Sequence, residues 1–312
     1  MKAAYLFPGQ GAQFVGMTRE LYDTRPEARA LFEEASERLG YDAAKIAFAG
    51  PDELLNSTEY TQPLLLTACM AAHAAWTREH PEFRPEYMAG LSLGEYAALV
   101  AAGSLDFGDA VALTRLRGKL MQETVPQGVG GMAAVMGLDA AEVERLCAEI
   151  RTPEAWVEPA NYNSPGQLVV SGHIPAVRAL CKAAKEAGAK RALPLPVSAP
   201  FHSRLLIPAG ERLAEALQEV EVRDARVPVI SNVTAHPVTA AAAIRRVLVE
   251  QVSSPVRMEQ SFRFMADAGT DLWVELGPGQ SMAKLLARVI PDAVAVSVGD
   301  PESLAAAAEH AA

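Results

Sequence analysis

Apolar residues first gather at residues 2–7 (KAAYLF), a short unbroken run that stops at Pro8-Gly9. A run of that length before a breaker predicts a buried strand. Residues 25–39 and 63–80 instead space their apolar side chains three and four apart, which predicts helices lying on a core. The alternation continues with a strand at 87–91, a helix at 94–102 and a longer helix at 106–125. Short buried strands alternating with helices predict an α/β fold with a parallel sheet covered on both faces.

From residue 129 the pattern changes. Residues 131–137 read as a strand, 139–150 as a helix, 155–161 and 167–172 as strands around the turn sequence YNSPG, 175–188 as a helix, and 190–197 as a strand. Pro175 opens that second helix and Gly188 closes it. The order β-α-β-β-α-β predicts an inserted ferredoxin-like subdomain at 129–197. Residues 1–128 and 198–312 then form one discontinuous core, with later helices at 204–219, 239–252 and 280–290 and strands at 227–230, 271–276 and 294–298. The terminal AAAAEHAA reads as a frayed tail.

Composition narrows the function. The 312 residues are 50% hydrophobic, 21% charged and carry a net charge of −10, which argues against a general nucleic-acid or anionic-membrane binder. Cys69, Cys147 and Cys181 are scattered without C-x-x-C spacing, so buried free thiols in a reducing cytoplasm are expected, with neither a disulfide frame nor a metal site. The N-terminus breaks too soon for a signal peptide, and the apolar stretch at 63–76 falls short of a bilayer span.

The chemistry starts at AGLSLGEY, residues 89–96, where Ser92 sits at G-x-S-x-G spacing between a strand and a helix. That context is a nucleophile elbow, with the hydroxyl projecting at the top of the sheet and a helix N-terminus aimed at developing negative charge. The plainer alternative makes Ser92 a helix N-cap with Glu95 at capping-box distance. A second glycine-rich loop, FPGQGAQ (7–13), ends strand one without P-loop or dinucleotide-binding spacing. It can bring the Gln10 N–H beside the Leu93 N–H as two halves of an oxyanion hole. A base is expected at His202, in the turn PVSAPFHS after a strand. His236 is the other candidate, whereas His73 and His80 lie on a helix, and Arg115 and Lys119 belong to a solvated face.

Nine motifs then fall in one order: FPGQGAQ, YTQPLL, SLGEYAALVAAG, RGKLMQE, NYNSPGQLVVSG, PVSAPFHS, SNVTA, EQVSSPV and ELGPG. With them the chain resembles the malonyl-CoA:acyl-carrier-protein transacylases over nearly its whole length. The resemblance implies an α/β-hydrolase-like core with a ferredoxin-like insert. It implies Ser92 as nucleophile, His202 as base, and Gln251 as the group that orients the histidine, through its backbone carbonyl. Gln10 and Leu93 correspond to the oxyanion donors and Arg117 to the group that grips the malonyl carboxylate. Gln62 is implied in the pocket, and Phe201 matches the malonyl-selecting version of its loop. The implied partners are malonyl-CoA and an acyl carrier protein, with no bound cofactor and a monomeric enzyme.

One position departs from the family: Leu91 stands where G-H-S is usual. Discrete acyltransferases of polyketide synthases share the pattern, so Leu91 leaves the pathway open between fatty acids and polyketides. An acyl-thioester hydrolase using the same serine, and a non-catalytic carrier-binding scaffold, are the rival readings. An acidic carrier needs a cationic face on a protein of net charge −10. Arg178, Lys182 and Lys185 form one helical stripe, with Lys190 and Arg191 just after, and carrier docking is expected there, beside the cleft.

Overall fold

The computed structural model describes residues 2–197 and 199–311. Ser198, where the second core segment is expected to begin, lies outside them. Strand β1 (Ala3–Phe7) leads to helices α1 (Arg19–Thr24), α2 (Pro26–Leu39), α3 (Ala43–Ala49), α4 (Asp52–Leu55) and α5 (Thr58–Glu79). Next come β2 (Pro85–Gly90), α6 (Leu93–Ala101) and α7 (Phe107–Glu123). The middle of the chain forms β3 (Gly130–Met136), α8 (Ala140–Ile150), β4 (Val157–Ser164), β5 (Gln167–His173), α9 (Ile174–Glu186) and β6 (Arg191–Pro194). A 3₁₀ turn at Arg204–Leu206 precedes α10 (Ile207–Gln218), β7 (Val229–Ile230), β8 (Pro237–Val238), α11 (Ala241–Gln251), β9 (Val256–Arg257) and α12 (Met258–Asp267). The chain ends with β10 (Leu272–Leu276), α13 (Ser281–Val289), β11 (Val294–Val298) and α14 (Pro301–Ala311).

The larger sheet has the order β11-β10-β1-β2-β7-β8. All its pairings are parallel except β7 with β8. Alternate residues of β1 feed opposite faces, as the two-residue period requires. Tyr5 and Phe7 join the core with α2, α5, α6 and α7, while Ala4 and Leu6 join the one with α12 and α13. The smaller sheet has the order β6-β3-β5-β4-β9. Helices α8 and α9 cover one face, packing Val143, Leu146, Val177 and Leu180 on Ala133, Val135, Leu168 and Val170. Its opposite face, with Met132 and Val169, belongs to the main core. β9 comes from outside residues 129–197 and pairs in parallel with β4, so the small sheet is tied to the core through backbone hydrogen bonds.

Several expectations shift. Helix α5 begins at Thr58, five residues before Pro63, because the Ser57 carbonyl accepts from the N–H groups of Tyr60 and Thr61. Pro63 therefore sits inside the helix and removes one internal hydrogen bond. The turn after β4 narrows to Pro165-Gly166, as Tyr162–Ser164 stay extended, and β6 ends at Pro194. Helix α12 was not expected, although Met258, Phe262 and Met265 bury one face of it. The tail is not frayed over its described residues: α14 runs to Ala311 and buries Leu304 and Ala307 against the main core, while Ala312 lies outside those residues.

Candidate active site

The site forms where β1 and β2 end. After β2 the chain reverses at Ser92, which has φ 53° and ψ −102°, then enters α6. A Cβ at Gly90 would lie 1.9 Å from the Gly94 carbonyl carbon, and one at Gly94 would lie 2.2 Å from the Phe7 oxygen. Only glycine permits that contact of turn, helix and neighbouring strand. Ser92 and His202 are two of four non-glycine residues with left-handed φ among the described residues. Such conformations gather at functional sites because the surrounding structure must hold them.

Ser92 Oγ lies 2.7 Å from His202 Nε2, and His202 Nδ1 lies 2.8 Å from the backbone oxygen of Gln251. A carbonyl only accepts, so Nδ1 carries the proton and the Nε2 lone pair faces the serine hydroxyl. Burial and the charge of Arg117 push the His202 pKa down to about 4, so the ring is neutral near pH 7. The N-cap alternative for Ser92 fails, since its side chain caps nothing. Glu95 makes no capping box either: its carboxyl accepts from Asn232 N–H and from Gln251 Nε2.

Arg117 is 1% exposed. It donates to Gln62 Oε1 (2.8 Å), to Gln251 Oε1 (2.8 Å) and to Ser92 Oγ (3.1 Å), and lies over the Tyr96 ring at 5.3 Å. Every direct hydrogen-bond acceptor in that set is neutral. Leu93 is the first residue of α6, so its N–H has no acceptor within the helix. Gln10 reaches the same place because its loop packs on the elbow: a Cβ on Gly9 would lie 2.3 Å from the Leu91 oxygen. Ser92, His202, Arg117, Gln62, Gln10 and Phe201 all line one cavity of about 180 Å³. Leu91, Met121, Met132, Asn161, Asn163, Val169, Leu195 and Val197 complete its wall. The small sheet thus supplies one side of the pocket and the large sheet the nucleophile.

Other expectations need correction. Arg178, Lys182 and Lys185 are exposed on α9, but α9 packs on the face of the small sheet turned away from Met132 and Val169. The stripe is therefore not beside the cleft. Lys190 and Arg191 are exposed at the start of β6, which leads on to Leu195 and Val197 in the cavity wall. Arg115 is not simply solvated: it pairs with Glu59 at 3.0 Å and donates to the Leu39 carbonyl. His236 is turned to its own loop, its Nδ1 against the Thr234 oxygen, far from any role as base. In the sequence Glu95 reads only as a capping-box partner, and Asn232, Asn161 and Asn163 have no assigned role, although all four stand within the quoted motifs. No group of acidic, histidine and cysteine side chains among the described residues is arranged to hold a metal, and none of their helices is long and apolar enough to cross a membrane.

Known proteins resemble this chain over nearly its whole length. Residues 4–303 match the acyl transferase domain family. The malonyl CoA-acyl carrier protein transacylase of Escherichia coli O157:H7 is 45% identical over 98% of this chain and 98% of its own length. An acyl carrier protein S-malonyltransferase from Vibrio cholerae superposes with a TM-score of 0.96 at 43% identity, covering 98% of this chain and 100% of that one. A malonyl-transacylase in complex with a type II PKS acyl-carrier protein gives the same TM-score and identity, covering 99% of this chain and 100% of that one. The chain belongs to the acyl transferase domain family, alongside the malonyl CoA-acyl carrier protein transacylases.

Proposed function

We propose that this protein moves a malonyl group from malonyl-CoA to the phosphopantetheine thiol of an acyl carrier protein through a malonyl ester on Ser92. One observation carries the reading: a single serine oxygen lies 2.7 Å from a neutral imidazole and 3.1 Å from a buried guanidinium. The two carboxyl carbons of a malonyl group are about 2.5 Å apart, from ordinary C–C bond lengths. A three-carbon diacid therefore presents its thioester carbonyl to Ser92 and its free carboxylate to Arg117 at the same time.

His202 Nε2 takes the Ser92 proton as the oxygen attacks, then returns it to the departing CoA sulfur. The Gln10 and Leu93 N–H groups stabilise the tetrahedral oxyanion, each by about 2.7–4 kcal/mol. The carrier thiol then repeats the sequence in reverse, with His202 again as base, and Ser92 is freed. The Gln251 carbonyl fixes the tautomer of His202, where a carboxylate would also stabilise the imidazolium. Gln62 supports Arg117, and Phe201 limits the space beside the acyl group. Both half-reactions exchange one ester or thioester for another, and no resident cofactor takes part.

Residues 129–197 act as a distinct unit that closes the cavity, with residues 1–128 and 198–312 as the core, and the enzyme works as a cytoplasmic monomer. An acidic carrier meets Lys190 and Arg191, upstream of the cavity wall, and not the α9 stripe. Similarity to a transacylase bound to a type II PKS acyl-carrier protein keeps a polyketide carrier beside a fatty-acid one. Intact-protein mass spectrometry after mixing with malonyl-CoA tests the reading. A malonyl adduct on the wild type, absent in Ser92→Ala and discharged by holo carrier protein, is expected. Release of free malonate at a rate indifferent to carrier protein overturns it in favour of a hydrolase.

A further inference from the structure

Beneath the site lies a carboxyl group that the acyl-transfer steps do not use. Glu95, three residues beyond Ser92 on α6, is 0% exposed. Its Oε2 accepts from the Asn232 N–H at 3.1 Å and from Gln251 Nε2 at 2.7 Å, while Oε1 has no partner among the described residues. The orientation of the Gln251 carboxamide is set by what surrounds it. Its nitrogen faces three acceptors, Glu95 Oε2, the Ser92 carbonyl and Asn232 Oδ1, and its oxygen faces the Arg117 Nη2 donor. Flipping the amide would set oxygen against oxygen and N–H against N–H.

A continuous relay therefore runs from carboxyl to carboxamide to guanidinium. It ends on the same Nη2 that reaches Ser92 Oγ. Because the direct partners of Arg117 are neutral, its buried charge is opposed only across this relay. The other titratable groups facing Glu95 and Arg117 supply no anion: burial pushes the neighbouring Tyr96 hydroxyl up to about 12, and His202 is neutral near pH 7.

We propose that Glu95 is a positioning residue which, through the Gln251 carboxamide, aims Arg117 beside Ser92 and balances its charge in the empty enzyme, then takes up a proton when the malonyl carboxylate replaces it as counter-charge. The proposal rests on the reading of Arg117 as the malonyl clamp. A buried arginine with two carboxylates around it carries a surplus negative charge in a dry site, and protonating the one without a direct bond to the guanidinium removes that surplus. Burial already pushes the Glu95 pKa up to about 7, so the proton is gained readily near neutrality.

The proton balance makes this measurable. Acyl transfer from CoA to a serine hydroxyl consumes and releases no proton at pH 7, because the CoA thiol remains protonated. In weakly buffered solution with an indicator dye, the wild type should take up about half a proton per malonyl ester formed at pH 7. Acetyl-CoA, with no second carboxylate, should cause none. The kcat/KM for malonyl-CoA should fall about tenfold from pH 6 to pH 8 as ionised Glu95 competes for Arg117. Glu95→Gln, which keeps an acceptor for Asn232 and Gln251, should abolish the uptake and flatten that profile. Glu95→Ala should lower kcat at least tenfold, with Gln restoring most of it.

Equal uptake with malonyl and acetyl, no uptake at all, or a Glu95→Gln profile matching the wild type overturns the proposal. Should neither variant fold, the malonyl-against-acetyl uptake of the wild type still decides. Arg117→Ala separates the two layers. If it keeps the malonyl preference, the clamp reading fails and takes this inference with it. If it loses the preference while the wild type takes up no proton, only the role of Glu95 fails.

Discussion

Replacing Arg117 with alanine tests the specificity of this site most directly. The guanidinium is buried, and its fork spans Gln62, Gln251 and Ser92. In Arg117→Ala a bound malonyl group would bring its carboxylate into a cavity of about 180 Å³ with no cation to meet it. A buried charge that loses its partner costs about 3–5 kcal/mol. That corresponds to a loss of roughly a hundred- to a few thousand-fold in kcat/KM for malonyl-CoA. Acetyl-CoA supplies the internal control. Arg117 also touches the nucleophile, so some loss of rate will be common to both substrates, and the ratio between them isolates the carboxylate term. Acylation of Ser92 followed by rapid-quench mass spectrometry with each substrate gives both numbers. A malonyl-to-acetyl ratio unchanged within a factor of three would refute the reasoning, since no interaction specific to the carboxylate would then have been removed.

Other outcomes follow from the same geometry. Ser92→Ala should form no adduct with any acyl-CoA while retaining the wild-type thermal midpoint to within a few degrees. Gly94→Ala places a methyl group 2.2 Å from the Phe7 oxygen, so it should lose at least 1–3 kcal/mol in urea unfolding. It should also lose activity, because the elbow must open. The pKa of His202 is lower in the folded chain than in the unfolded one, so the unfolded state alone binds its proton between about pH 6.5 and 4. Its contribution is fully present above that window and is lost as the pH falls through it. Urea unfolding at pH 4.5 and 7.5 should therefore show the wild type losing about 2–3 kcal/mol more than His202→Gln over that interval. Equal losses would show that the imidazole is not held neutral by the fold.

What the sequence revealed and what it concealed have separate physical causes. Ser92, His202, Gln251 and Arg117 stand in motifs whose residue types are fixed by chemistry, and the structure joins all four in one hydrogen-bonded network. Glu95 was harder to read because a carboxyl three residues beyond a serine at a helix start has an ordinary local use. Its actual partners, Asn232 and Gln251, lie 137 and 156 residues away. Strand β9 is two residues long and exists only because β4 pairs with it, so no periodicity announces it. Helix α12 did carry a visible pattern, with apolar Met258, Phe262 and Met265 on one side, but it follows β9 without the clear breaker that marked other helix starts. The α9 stripe was correctly periodic and exposed. Periodicity fixes which side of a helix faces water, and it says nothing of which face of a sheet that helix covers.

Strand β9 has a mechanical meaning. It follows Gln251 by five residues, and it is stitched by backbone hydrogen bonds to Asn161 and Tyr162, the first of which lines the pocket. The rope that holds the histidine's acceptor is thus knotted to the wall of the pocket. One short tether therefore joins the acceptor that steadies the imidazole to a residue that shapes the acyl pocket, and a substitution that loosened the β4–β9 pairing would reach both.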